Sequence, residues 1–385
     1  MAPPTERHDD GALQELPPPG PVHYAEQALL GALLLEPHRL GTLTDLEPGH
    51  FSNAAHGTLF AAMRATPAPD PARHPAAPIW LNTVLAAARP EAPGLNAPYL
   101  HALVQACSWP RHTPAYARMI EAEHARHRLW GAAERLVQSV HDACLPHPVQ
   151  TMLAEADSLA QVVEDIAVRF PPRSGVLPRA PEPLPLPASA DAETIEEERL
   201  VLATATAHPA DVASVRWLAA GDFTRPLYAG LWRCLTALVQ RHEPVDPVTV
   251  LWEAQQRGLI DHDSDPGEVL RLLAEPAGAL EHWSQRTLQR SLLASAERTG
   301  RRVGAYARDP ANTPFQLVVG TRRALADIQA LRTRWQHATD TTPARRKHPR
   351  PATRAGPPTT TAPHTTRAAR QPPPAPAARP RARPP

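Results

Sequence analysis

The chain has 385 residues, a formal net charge of +1, a hydrophobic fraction of 42% and 48 prolines. This is enough apolar material for two or three cores, and the prolines say where those cores end. They gather in the N-terminal 21 residues, in Pro171–Pro187 and beyond Pro343. The near-zero charge conceals an asymmetry. From Asp340 onward stand ten basic residues and one acid; without them the totals of 40 and 39 become 30 basic and 38 acidic. An acidic folded body with a basic tail is expected, and only the tail suits a polyanion. Cys107, Cys144 and Cys234 lie far apart with no C-x-x-C spacing, which fits neither a disulfide framework nor a zinc site. No run approaches the length of a membrane span, and the N-terminus is polar, so a cytoplasmic protein is expected.

The first predicted helix is the apolar run Ala25–Leu35, stopped by Pro37. A short connection ends in Gly49-His50-Phe51, and Ser52 stands where a hydroxyl would cap the next helix, whose inner face is Leu59, Phe60 and Met63. After the proline-rich loop Pro67–Pro78 come a helix over Ile79–Ala88, an apolar pair Leu100 and Leu103, and a long helix at roughly 115–142. Pro148 opens the last helix of this half. Its residues Met152, Ala156, Leu159, Val163, Ile166 and Phe170 are spaced 4-3-4-3-4, a coiled-coil-like seam.

The order then repeats. Residues 25–63 align on 197–235 without a gap at an offset of 172, with seven identities: Glu26/Glu198, Leu30/Leu202, Pro37/Pro209, Leu46/Leu218, Gly49/Gly221, Phe51/Phe223 and Leu59/Leu231. Thr224 replaces Ser52, and Leu227, Leu231, Leu235 and Leu238 form a clean helical stripe. Asp246-Pro247 starts a helix running to Gly258, Leu270 and Leu273 follow, then a long helix at roughly 281–307 and a last one opened by Pro314. That last helix carries Leu325, Ile328, Leu331 and Trp335, a poorer heptad. No alternating pattern supports a β-strand. The expected architecture is all-α: a disordered segment 1–21, a helical-bundle domain 22–170, a linker 171–191, a second helical-bundle domain 192–338, and a disordered basic tail 339–385. Each domain ends in a long helical hairpin.

The run Ala25-Glu26-Gln27-Ala28-Leu29-Leu30-Gly31-Ala32-Leu33-Leu34-Leu35 resembles the opening helix of the N-terminal domain of DnaB-type replicative DNA helicases. Gly49-His50-Phe51, Gly221-Asp222-Phe223, Pro244-Val245-Asp246-Pro247-Val248-Thr249-Val250 and Tyr116-Ala117-Arg118-Met119-Ile120 look like later landmarks of that domain. The resemblance implies a collar module that oligomerises through helical hairpins and offers a surface to primase; the family's motor is a separate RecA-like domain. A P-loop needs a lysine after glycine to reach the phosphates, and the single lysine, Lys347, stands between Arg346 and His348 with no such loop around it. No ATPase activity and no cofactor are expected.

Other chemistry is weakly signalled. His124 and His127, with Glu121 and Glu123 nearby, have no marked third ligand, so a solvated helix is the expected reading and no metal site is assigned. Glu196-Glu197-Glu198 reads as capping and surface charge. The Gly-x-Phe pairs read as structural, a glycine for the turn and a phenylalanine for the core, and Trp217, Trp232 and Trp252 as members of apolar faces. The seam residues Met152, Leu159, Val163, Ile166 and Phe170 are candidates for helix-hairpin association. Their period leaves open whether the partner is the preceding helix or another copy. In the tail, Arg345, Arg346, Lys347 and Arg350 are candidates for contact with nucleic acid, though no aromatic residue follows Trp335 to stack on bases. The expected function is a non-catalytic interaction or assembly protein of DNA replication whose partners are primase, the replicative helicase or another copy of itself. The alternatives are an accessory subunit of a helicase complex and a nucleic-acid-binding regulator acting through its tail.

Overall fold

The computed structural model describes residues 19–71, 74, 79–142, 146–171, 177–179, 191–260 and 265–340. Among them there are twelve α-helices and no strand. The basic tail lies outside the described residues, as do most of the linker and of the N-terminal segment.

Helix α1, Pro21–Leu35, starts four residues before the predicted Ala25 because Pro21 occupies its first turn after an extended Gly20. From Ala25 to Leu34 almost every residue is buried, so this is a core helix rather than an amphipathic one. Two short 3-10 segments, Pro37–Thr42 and Pro48–His50, lead to α2, Ala54–Ala65. The cap of α2 is Asn53, whose side chain accepts from the amides of Ala55 and His56; Ser52, the predicted cap, is one residue too early and is used differently. Helices α3, Ile79–Ala88, and α4, Ala97–Ala106, complete a small head. Its core runs from Leu29, Leu30 and Leu33 through Leu59, Phe60 and Met63 to Leu103 and Ile120. The hairpin α5, Thr113–His141, and α6, Pro148–Arg169, leaves this head.

The second half repeats the first. Helix α7 spans Ala192–Ala207, capped by the Asp191 side chain on the Thr194 amide. Short 3-10 segments Pro209–Val215 and Ala220–Asp222 precede α8, Pro226–Gln240. The ends of α1 and α7, and the starts of α2 and α8, all differ by the 172 residues of the sequence offset. Next come α9, Pro247–Gln256, with the predicted Asp246 cap, and α10, Pro266–Leu273. The hairpin α11, Leu280–Arg308, and α12, Pro314–Asp340, ends the described chain. Both α5 and α11 have 29 residues. None of the helices among the described residues is long and apolar enough to cross a membrane.

Gly31 is required by packing. A methyl there would come within 2.0 Å of the Leu103 carbonyl oxygen, so α1 and α4 touch through backbone. Copy two carries Ala203 at the matching position. Gly31→Ala is therefore expected to destabilise the protein by about 3 kcal/mol, by forcing α4 off α1. A urea unfolding midpoint lowered at unchanged slope is the readout; an unshifted midpoint would contradict the packing.

Candidate assembly interface

The helical hairpins of the two halves pack on each other within one chain, and the arrangement follows from small residues. Gly300 of α11 meets α5 so closely that a methyl would lie 2.6 Å from Val137 Cγ2 and 3.0 Å from the Ala133 carbonyl. Gly304, one turn on, faces Trp130 and Glu134. Rising numbers on α11 thus meet falling numbers on α5, and the two helices run antiparallel. Since Ala117 and Ile120 of α5 belong to the first head and Leu280 and Leu288 of α11 to the second, the heads stand at opposite ends of the bundle.

Polar contacts hold the helix ends. The Arg126 guanidinium on α5 donates to the carbonyls of Ala307 at 3.1 Å, Asp309 at 2.7 Å and Asn312 at 2.7 Å. Ala307 is one of the last-turn carbonyls that α11 leaves without a helical partner, the other two lie just beyond the helix end, and a cation there also meets the negative end of the helix dipole. Helix α6 lies on α12 through Glu164–Arg322 at 2.6 Å and Asp157–Arg332 at 2.5 Å, with Phe170 and Phe315 edge-to-face at 5.9 Å. Those ion pairs are largely solvent-exposed and add little stability beyond register.

All five seam residues, Met152, Leu159, Val163, Ile166 and Phe170, are buried in the core that α5, α6, α11 and α12 share. The seam thus packs on the preceding helix, and the same α6 also touches the second copy. Each hairpin then returns an arginine to its own head. Arg169 grips Glu121 with two hydrogen bonds of 2.7 Å and reaches Asp45 at 3.0 Å. Arg334 binds the Trp217 carbonyl and the Asp222 carboxylate.

Within each head the glutamate common to both copies does the joining. Glu26 is fully buried on α1, and its Oε1 accepts from the Ser52 amide at 2.5 Å and the Ser52 hydroxyl at 2.7 Å. Its Oε2 lies 2.6 Å from His56 Nδ1, and His56 Nε2 lies 2.6 Å from the Tyr99 hydroxyl. Burial pushes the Glu26 carboxyl up, but the hydrogen bonds from His56 and Ser52 outweigh it, so its pKa falls below the ordinary value. In copy two Glu198 Oε1 accepts from the Thr224 amide at 2.8 Å, the same joint. Tyr228 stands where His56 does, however, and Glu198 Oε2 is buried without a partner. There burial wins over the bonds from Thr224, and the Glu198 pKa rises.

The landmark residues divide accordingly. Leu30, Leu59, Leu202 and Leu231 are fully buried, and Phe51 and Phe223 lie in the head cores against Phe60 and Trp232. Gly49 and Gly221 are not needed for their turns: neither has a positive φ, and a methyl on either would enter open space. The surface reading of Glu196-Glu197-Glu198 holds for Glu196 alone. Glu197 is buried and bridges to Arg286 at 2.8 Å and Arg290 at 2.5 Å, since α7 begins at Ala192 and places these residues in its second turn. Trp217 and Trp232 are core, but Trp252 is 61% exposed beside Val248 and Pro244 in a groove between α8 and α9. The His124 ring lies tilted against His50 with centroids 4.3 Å apart, and its pKa drops to about 4, first through burial and then through His50 and Arg128; His127 pairs with Glu123. Arg345, Arg346, Lys347 and Arg350 lie outside the described residues. Sequence reasoning missed His56, Tyr99 and Arg126. The one signal available was that Glu26 and Glu198 survive in the repeat, each at the start of an apolar run.

The described chain is thus two copies of a small helical head, each prolonged by a hairpin and joined hairpin to hairpin. Residues 21–122 and 190–283 each match the family model of the DnaB-like helicase N terminal domain. Together the two segments cover just over half of the chain, which therefore belongs to that family, in two tandem copies. No curated protein and no solved structure is significantly similar to it.

The two glutamates respond to pH with opposite sign. Glu26, held below the ordinary 4.5, stabilises the fold above that pH, and the contribution is lost as pH falls through its lowered value. Glu198, held above 4.5, favours the fold most below that pH, and this is lost as pH rises through its raised value. Glu26→Gln should cost about 2 kcal/mol at neutral pH, from the charge-assisted bonds it removes. Glu198→Gln should be neutral or stabilising at pH 8. Chemical denaturation of both variants from pH 4 to 8 checks this, and equal losses at pH 8 would refute the asymmetry.

Proposed function

We propose that the chain is a non-catalytic assembly protein of DNA replication, in which one polypeptide supplies the hairpin pair that the helicase collar builds from two subunits. The observation that carries this is the α5–α11 contact at Gly300, sealed by Arg126 on the end of α11. The seam residues Met152, Leu159, Val163, Ile166 and Phe170 are buried against their own chain, so the seam is not free to pair with a further copy. The heads then present the surfaces for primase or a replicative helicase. Family membership supports an interaction role of this kind. No P-loop accompanies the two modules in the sequence, which supports a role without ATP hydrolysis.

Light scattering on the full chain should give a monomer near 41.8 kDa across a wide concentration range. Gly300→Leu should separate the hairpins and produce concentration-dependent dimers through the exposed seams. A wild-type chain that already forms rings, or that hydrolyses ATP on single-stranded DNA, would defeat the proposal. The ten cations beyond Asp340 support a second contact, to nucleic-acid phosphates. Removing residues 343–385 should abolish DNA binding in low salt; retention of binding would assign it to the helical body.

A further inference from the structure

The joint between α1 and α2 is over-equipped in copy one. In copy two the carboxylate holds the start of α8 with no histidine at all: Ile195 and Tyr228 stand where copy one has His23 and His56. The fold therefore does not require an imidazole at either place. Copy one nonetheless gathers His23, Glu26 and His56 so that one ligand atom of each lies within 4.8 Å of the others. His23 and Glu26 are three residues apart on α1 and share a face, while His56 comes from the first turn of α2. Glu26 and His56 are fully buried, and His23 is half-buried, which leaves one side open to solvent.

We propose that His23, Glu26 and His56 form a site for a divalent first-row transition cation, present in copy one and absent from copy two. Two imidazoles and one carboxylate are a zinc-type donor set with a fourth position free for water. The cation would take the place of the proton now shared between His56 Nδ1 and Glu26 Oε2, which lie 2.6 Å apart. His56 Nε2 would then carry its proton toward the Tyr99 hydroxyl, 2.6 Å away, which fixes the ring as outer-shell partners of metal-bound histidines do. Glu26 Oε1 keeps its bonds from Ser52, so the helix joint survives binding. His23 stacks near the His56 ring with centroids 5.3 Å apart, and a rotation of its own side chain in the first turn of α1 turns a nitrogen to the ion.

The test is isothermal titration of the chelator-stripped full chain with zinc chloride, repeated with cobalt(II) to read visible d–d bands. One equivalent of ion per chain is expected, with tetrahedral cobalt absorption. His23→Ile and His56→Tyr introduce the residues that copy two already accommodates, so circular dichroism should show both variants folded. Each should weaken binding by more than about tenfold. An absent heat of binding in the wild type, or an isotherm unchanged in His23→Ile, would overturn the proposal. So would binding that survives His23→Ile but disappears in His124→Ala, which would assign the ion to the His124–His127 face.

Discussion

The approach of α11 to α5 at Gly300 is the constraint from which the rest of the architecture follows. Two helices come this close only where one of them lacks side-chain volume, and here a glycine faces the Ala133 carbonyl. That contact fixes the antiparallel direction of the hairpins, sends the heads to opposite ends, and brings Arg126 onto the carbonyls that end α11. It also gives the coiled-coil seam of α6 its surroundings. Once α5 and α11 are in contact, α6 and α12 fill the flanking grooves and their facing charges only adjust register.

The heads obey a different logic. Their joint is a buried carboxylate that accepts a backbone amide, an expensive device unless the second oxygen is also satisfied. Copy one satisfies it with His56, and copy two leaves it bare and holds the group closer to neutral. Divergence between the copies has therefore altered the electrostatics of the joint while keeping its geometry. Membership of the DnaB-like helicase N-terminal family accounts for the shared geometry; the histidines are particular to one half of this chain.

Much of the fold was legible because it is written in local signals. Pro37, Pro209 and Pro148 mark helix ends and starts, the Asp246-Pro247 cap formed as expected, and the 172-residue offset carried over to the helix boundaries. The candidate site was less legible, because it depends on pairings between residues far apart in sequence. Nothing in the stretch around Arg126 says that it binds carbonyls more than 180 residues away. Ser52 looked like a cap because its hydroxyl precedes a helix, but the buried glutamate claimed it and passed the capping to Asn53. Glu197 and Glu198 looked superficial because acids are common near helix starts, yet their helix began earlier than the apolar run suggested. Trp252 was placed with the core by its apolar neighbours, and the helix turned it outward.

The hairpin contact also sets a clock during synthesis. Chain emerging from a ribosome at about 5–20 residues per second completes α5 and α6 well before α11 is finished, a wait of roughly 7–28 s. Throughout that interval the first hairpin shows the nascent-chain environment an apolar face destined for a partner not yet made. A neighbouring nascent chain offering its own first hairpin is the natural competitor, and the outcome would be a domain-swapped dimer on crowded polysomes. The proline-rich linker between the copies bears on that race, because a short tether keeps the effective concentration of the correct partner high once it appears.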